Sequence, residues 1–343
     1  MELLKLGVIG LDISHVETFA RIFNCPGDPL HMPGVGRIVK AFPGGSESFS
    51  DSWTRVDRFT RIMRQCGTEI VERIADMADM DAFLLTSSDG DRHLRQFREL
   101  APFGKPVFIG KPLACSFEDA RKIIRLAEEY AVPVMTCSSI RYAAGVCGLC
   151  AGSLEISAAE AFGPMPLPED YRDYFWYGIH SAELLYSYLG RGCISVQSIH
   201  SGDFDILIGC WQDGRQGIVC GNRTGAADFG IRLTTAQGHL TGLQDRRVSH
   251  IGELSRRLPE FLRNGISAID SRESLEITAF LEAASRSLHD GGRTVYLSEF
   301  MEKCENTAGR KQKTGKCRIL QLSGVPAGGE TIISKSYGDG NAG

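Results

Sequence analysis

The residues best suited to chemistry fall in a few short segments. Gly110-Lys111-Pro112 ends the apolar run KPVFIG, so an ammonium follows a buried strand on backbone fixed by the proline. Such a group lowers the pKa of a hydroxyl or stabilises an alkoxide. His180, in FWYGIHSAELLYSYLG, opens a helical pattern and is a candidate general base. GLDISH, with Gly10, Asp12, Ser14 and His15, makes the first turn between an apolar run and a helical one. The plain alternatives are a solvated lysine and a packed core histidine.

These residues need elements to hold them. LKLGVIGL predicts a strand, VETFARIFN a helix with Val16, Phe19, Ala20 and Phe23 on one face, and RIVKAF a second strand stopped by PGGSES. A helix around 51–65 follows, then the strand MDAFLLTSS, the helix HLRQFRELAPFG, the strand KPVFIG, the helix SFEDARKIIRLAEEYA capped by Ser116, and the strand PVMTCSS. Strands alternating with helices imply a doubly wound parallel sheet, because parallel neighbours need crossover connections. In such sheets ligands bind at the carboxyl ends of the strands, where Lys111 stands.

Beyond residue 138 the pattern changes. HSAELLYSYLG reads as a helix, and ISVQSIHS, FDILIGCW, QGIVCGN, FGIRLTTAQ and GHLTGLQ as short strands between turns, which predicts an α+β domain with a large, mostly antiparallel sheet. A late helix, RESLEITAFLEAASRSLHDGG, precedes a final strand TVYLSEF and a polar tail expected to be loosely ordered. The expected domains are 1–137, 138–300 and a tail over 301–343.

The bulk composition narrows the function classes. With 343 residues, 43% hydrophobic and 23% charged, the chain is globular and long enough for two domains. A net charge of -4 gives no general attraction to nucleic acid or anionic membranes, and no apolar run approaches the roughly 20 residues that span a bilayer. A cytoplasmic protein is expected. Its 11 cysteines, mostly in apolar runs, read as buried thiols. The single CxxC of Cys147 and Cys150 lacks a second ligand pair at zinc spacing, so no metal is expected.

The first turn of a doubly wound sheet is the natural seat of a dinucleotide pyrophosphate. Here it keeps Gly10 where a GxGxxG pattern has its first glycine, while Asp12 and His15 take the second and third positions. The second strand ends in AFPGGSES without an acidic residue at its tip, leaving Ser46 as a ribose or phosphate ligand, or simply a turn former.

KPVFIGKPLACSFEDARKIIRLAEEYAVPV, with MDAFLLTSS and His93 upstream, resembles the glucose-fructose oxidoreductase and inositol dehydrogenase (Gfo/Idh/MocA) family. The resemblance implies an N-terminal Rossmann domain with NAD or NADP as cofactor, a homo-oligomer, and a small sugar-like or polyol-like substrate. It implies that Lys111 lies near the nicotinamide and the reacting hydroxyl, with Gly110 replacing the family's glutamate. It also implies that Thr86, Ser87 and His93 lie beside the cofactor, with Ser87 in place of a proline, and that His180 and Glu183 match a second signature whose aspartate is Trp176 here. A partner orienting His180 would then come from Asp173 or Glu183. Arg141, Tyr177 and Glu183 are candidates for binding the substrate, Arg141 through its planar fork. Three functions stay open: NAD(P)-linked oxidation of a hydroxyl, with Lys111 and His180 catalytic; ligand binding or regulation without redox turnover; and a lyase or hydrolase whose cofactor cycles internally.

Overall fold

The computed structural model describes residues 2–149 and 154–301. Cys150 and the tail beyond Met301 lie outside the described residues, and Cys147 is an exposed free thiol. The first sheet holds β1 (Leu4–Ile9), β2 (Gly36–Phe42), β3 (Glu69–Ile70), β4 (Ala82–Leu85), β5 (Val107–Gly110) and β6 (Val134–Cys137). They run in the order β3-β2-β1-β4-β5-β6, and every pair is parallel. This is the doubly wound Rossmann arrangement expected from the alternation of strands and helices.

Alternate residues of each strand enter opposite layers, as the pleat requires. Leu6, Val8, Leu84 and Phe108 pack under α1 (His15–Asn24) and, past the short α2 (Ser50–Trp53), under α3 (Val56–Gln65). Ile9, Phe83, Leu85 and Ile109 pack under α4 (His93–Leu100) and α5 (Phe117–Glu129). The predicted cap of α5 is present, since Ser116 Oγ accepts a hydrogen bond from Asp119 N.

The second sheet takes seven strands in the order β12-β11-β7-β10-β9-β8-β13. These are β7 (Ile156–Pro164), β8 (Cys193–Ser201), β9 (Phe204–Trp211), β10 (Gln216–Asn222), β11 (Gly230–Thr235), β12 (Gly238–Leu243) and β13 (Val295–Tyr296). Only β7 and β10 pair in parallel. β7 has no counterpart among the expected strands, because SAAEAFG is alanine-rich and lacks the β-branched residues that mark strands. TVYLSEF supplies only the two residues of β13 before the chain turns helical at Ser298.

One face of this sheet packs on α6 (Gly178–Leu189), burying Leu185, Trp211 and Val219 together. Helices α7 (His250–Ser255) and α8 (Leu258–Asn264) return to the first sheet, where Leu254, Leu258 and Phe261 join the layer of α1 and α3. Helix α9 (Ser271–His289) touches both halves: Glu282 accepts from Phe117 N at 2.6 Å, and Glu276 accepts from Gly192 N and Cys193 N. Among the described residues no helix is long and apolar enough to cross a membrane.

Candidate active site

A cavity of about 480 Å³ opens at the carboxyl edge of the first sheet. Ser14 and His15 reach it from the start of α1, Lys111 from the end of β5, and Trp176, Tyr177 and His180 from the start of α6. His250 joins them from the first turn of α7. Strand ends and the first turns of helices supply these groups, which is where the topology of a doubly wound sheet leaves room for a ligand.

Lys111 is only 4% exposed, and its Nζ donates to the backbone carbonyl of Trp176 at 2.8 Å. The same ammonium stands 4.4 Å from the centre of the Trp176 ring and 5.7 Å from that of Tyr177. Burial brings its pKa down to about 7, while the carbonyl and the ring faces favour the charged form. Trp176, standing where the resemblance places an aspartate, thus holds the lysine with a carbonyl and a π face instead of a carboxylate. Phe49, from the loop after β2, packs on Trp176 and Tyr171 at ring distances of 4.8 and 4.6 Å and closes this corner.

The histidines are held by consecutive serines that follow β6. His180 Nδ1 lies 2.6 Å from Ser138 Oγ, and His250 Nδ1 lies 2.8 Å from Ser139 Oγ. Burial, reinforced by Lys111 and the other imidazoles, pushes the pKa of His180 well below its usual value, so the ring is neutral at pH 7. His15 is buried with its pKa down at about 3, again by burial first and then by Lys111 and His250. Among the described residues, no group of His, Cys, Asp or Glu side chains is arranged to hold a metal ion.

The partner expected for His180 is corrected by this geometry. Asp173 pairs with His289, and Glu183 accepts from Arg141 Nε at 2.9 Å. Arg141 spends the rest of its fork on Glu273, so Arg141 and Glu183 form a buried ionic tie and neither lines the cavity. Tyr177, the other expected substrate ligand, does line it.

The expected cofactor residues divide in the same way. Ser14, His15 and Lys111 face the cavity. Asp12 is fully buried, and its carboxylate accepts from Ser52 Oγ, Ser88 N and Ser88 Oγ. Burial raises its pKa against those donors, so the charge that sequence places beside a pyrophosphate is neither in the cavity nor strongly favoured. Gly10 has φ +89, and Ser87 N would lie 2.4 Å from any Cβ there; the glycine serves close packing of the turn on β4.

Thr86 Oγ1 donates to Gly10 O, and both ring nitrogens of His93 face carbonyls, those of Pro112 and Ser87. Ser46 is buried, its Oγ donating to Asp89 at 2.5 Å. Gly10, Asp12, Ser46, Thr86 and His93 are therefore spent on packing or internal hydrogen bonds, while Ser87 is buried off the cavity lining with its Oγ unpartnered among the described residues. Asp89, however, arrives from beyond β4 beside the tip of β2, so a carboxylate does stand there.

Sequence reasoning missed Ser138, Ser139 and His250 as site residues. PVMTCSS does show a serine pair at a strand's carboxyl end, and Ser249 before HIGELS is a helix cap, its Oγ accepting from Gly252 N. Arg55, Arg223 and Arg246 also line the cavity and carried no motif.

No family model matches the chain, and no curated protein does. Solved structures do. GenD2 from gentamicin A biosynthesis, in complex with NAD, is 16% identical with a TM-score of 0.69, covering 86% of this chain and 97% of its own. The WlbA dehydrogenase of Bordetella pertussis, in complex with NADH and UDP-GlcNAcA, is 17% identical with a TM-score of 0.65, covering 86% and 99%. The apo scyllo-inositol dehydrogenase of Lactobacillus casei is 15% identical with a TM-score of 0.67, covering 87% and 99%. The chain has the fold of these dehydrogenases over nearly their whole length, the fold that the lysine turn and its flanks imply.

Proposed function

We propose that the protein is an NAD(P)-dependent oxidoreductase acting on a hydroxyl of a sugar, polyol or related small molecule. The observation that carries this is the convergence of Lys111 and His180 on one cavity at the carboxyl edge of the first sheet. The dinucleotides and the sugar nucleotide of GenD2 and WlbA support it from the same fold.

The residues present fit such a cofactor. Ser14 and His15, at the start of α1, and Arg55 would hold its phosphates, because helix N-terminal amides and a guanidinium favour anions. The buried Asp12 does not oppose them. Bound NAD(P) supplies a hydride acceptor. Lys111 would hold the substrate oxygen and favour its alkoxide. In the tautomer with its proton on Nδ1, directed at Ser138 Oγ 2.6 Å away, His180 would keep a lone pair on Nε2 to take the hydroxyl proton. The aromatic corner of Phe49, Tyr171 and Trp176 excludes water from the lysine.

Calorimetric titration of the purified protein with NAD+, NADH, NADP+ and NADPH tests this. At least one should bind, and Lys111→Ala should abolish turnover on a polyol panel while leaving the fold intact. Failure of all of them to bind sinks the reading and leaves a ligand-binding protein on the same fold.

A further inference from the structure

Resting on that reading of the cavity as a substrate site, we propose that the substrate is an anion: a hydroxy compound bearing a carboxylate or a phosphate monoester, its charged group held by Arg223 and Arg246. Among the described residues that line the cavity none is Asp or Glu, whereas Arg55, Lys111, Arg223 and Arg246 all reach it. Lysine and arginine offer donors and no acceptors. A carboxylate or phosphate forms charge-assisted hydrogen bonds with these cations, which a neutral polyol does not.

The arginines differ in origin. Arg55 stands at the start of α3, beside the first sheet and the turn that would take the cofactor's phosphates. Arg223 follows β10 and Arg246 follows β12, so both come from the second sheet. Arg223 is fixed by Asp205, which is fully buried and accepts from its Nε at 3.0 Å and its Nη2 at 2.7 Å, with His200 Nδ1 3.0 Å from the same Nη2; among the described residues Nη1 is left for a ligand. Among the described residues Arg246 pairs with Asp228 at 3.6 Å through Nη1, and its side chain is largely exposed. Asp51, the partner of Arg55, lies like Asp205 and Asp228 behind its arginine and outside the lining.

A planar guanidinium pairs with carboxylate or phosphate oxygens through parallel N–H bonds, which gives orientation as well as attraction. With the charged group anchored on the second-sheet side, a hydroxyl further along the molecule is left for Lys111 and His180. Asn222 and Gln244, which also line the cavity, supply amide acceptors for the remaining hydroxyls.

The test is calorimetry on the full chain at low salt, with and without a nucleotide, using glucuronate, glucose 6-phosphate, glucose and myo-inositol. The charged sugars should bind about tenfold tighter or more than the neutral ones, with glucuronate and glucose 6-phosphate separating a carboxylate site from a phosphate site. Arg246→Gln should lose about tenfold in anion affinity and little in glucose affinity; Arg223→Lys, which keeps a cation against Asp205, should show the same selectivity. Equal or tighter binding of the neutral sugars, no anion binding at all, or unchanged anion affinity in both variants would overturn the proposal. Anion binding in a protein that takes no nucleotide would instead defeat the oxidoreductase reading and leave this one standing.

Discussion

At the scale of single residues, the site is organised by what holds its reactive groups. Ser138 Oγ already accepts from Ile140 N at 3.1 Å, so its second lone pair is the natural acceptor for His180 Nδ1–H. Replacing Ser138 with alanine frees the imidazole to rotate and to change tautomer. kcat should fall about 100-fold with KM little changed, at a stability cost of about 1 kcal/mol. An unaltered kcat would show that the ring needs no anchor.

Lys111 has a pKa of about 7, so its role can be read from pH. If it acts as an ammonium, kcat/KM should fall as pH rises through about 7, and Lys111→Arg should shift that limb out of range. A rate that rises over the same interval would make Lys111 the base. Unfolded, the same lysine titrates near 10.5, so the folded state gives up its proton first and stability should climb between about pH 7 and that value.

At the scale of elements, the strands and helices that carry Lys111 and His180 were legible because hydrophobic period and turn residues are local properties. The end of β5 and the start of α6 could be placed from KPVFIG and HSAELLYSYLG alone. What the sequence hid was pairing across the chain. Ser138 meets His180 and Arg141 meets Glu183, each at 42 positions' separation, and Arg141 meets Glu273 at 132. Nothing in local spacing distinguishes an arginine awaiting substrate from one already bound to two glutamates.

Strand β7 escaped for another reason: it is paired on both sides, by β10 and β11, with Ala159 and Ala161 buried in the core, so its alanines need no β propensity of their own. The Arg141 tie joins the segment after β6 to α6 and α9, so it belongs to the stability of these elements. Arg141→Met strands two carboxylates with little access to water and should cost about 3–5 kcal/mol in urea unfolding. A loss below about 1 kcal/mol would mean that Glu183 and Glu273 reach solvent or take up protons on their own, and would return Arg141 to the list of substrate ligands.

At the scale of the whole molecule, the second sheet has one face packed on α6 and α9 and another that no described helix covers. Along β9, Leu207 is fully buried, whereas Ile206 and Ile208 on the opposite face are only half-buried. The register sets Ile208 against Ile218 and Ile206 against both Cys220 and Ile199, and Phe204 extends the row at 53% exposed. Contiguous apolar strips on a sheet face are a common feature of subunit interfaces. Pairing two such sheets face to face would bury it. Analytical ultracentrifugation should therefore find a dimer or larger assembly, and Ile208→Lys with Ile218→Lys should give a folded monomer. Neither Ile208 nor Ile218 lines the cavity, although Asn222 and Arg223 at the end of β10 do, so that monomer should bind ligands with affinity unchanged within about twofold. A monomeric wild-type protein at micromolar concentration would refute the interface, and a monomeric variant that also lost its ligand affinity would show that the assembly, not the isolated chain, shapes the cavity.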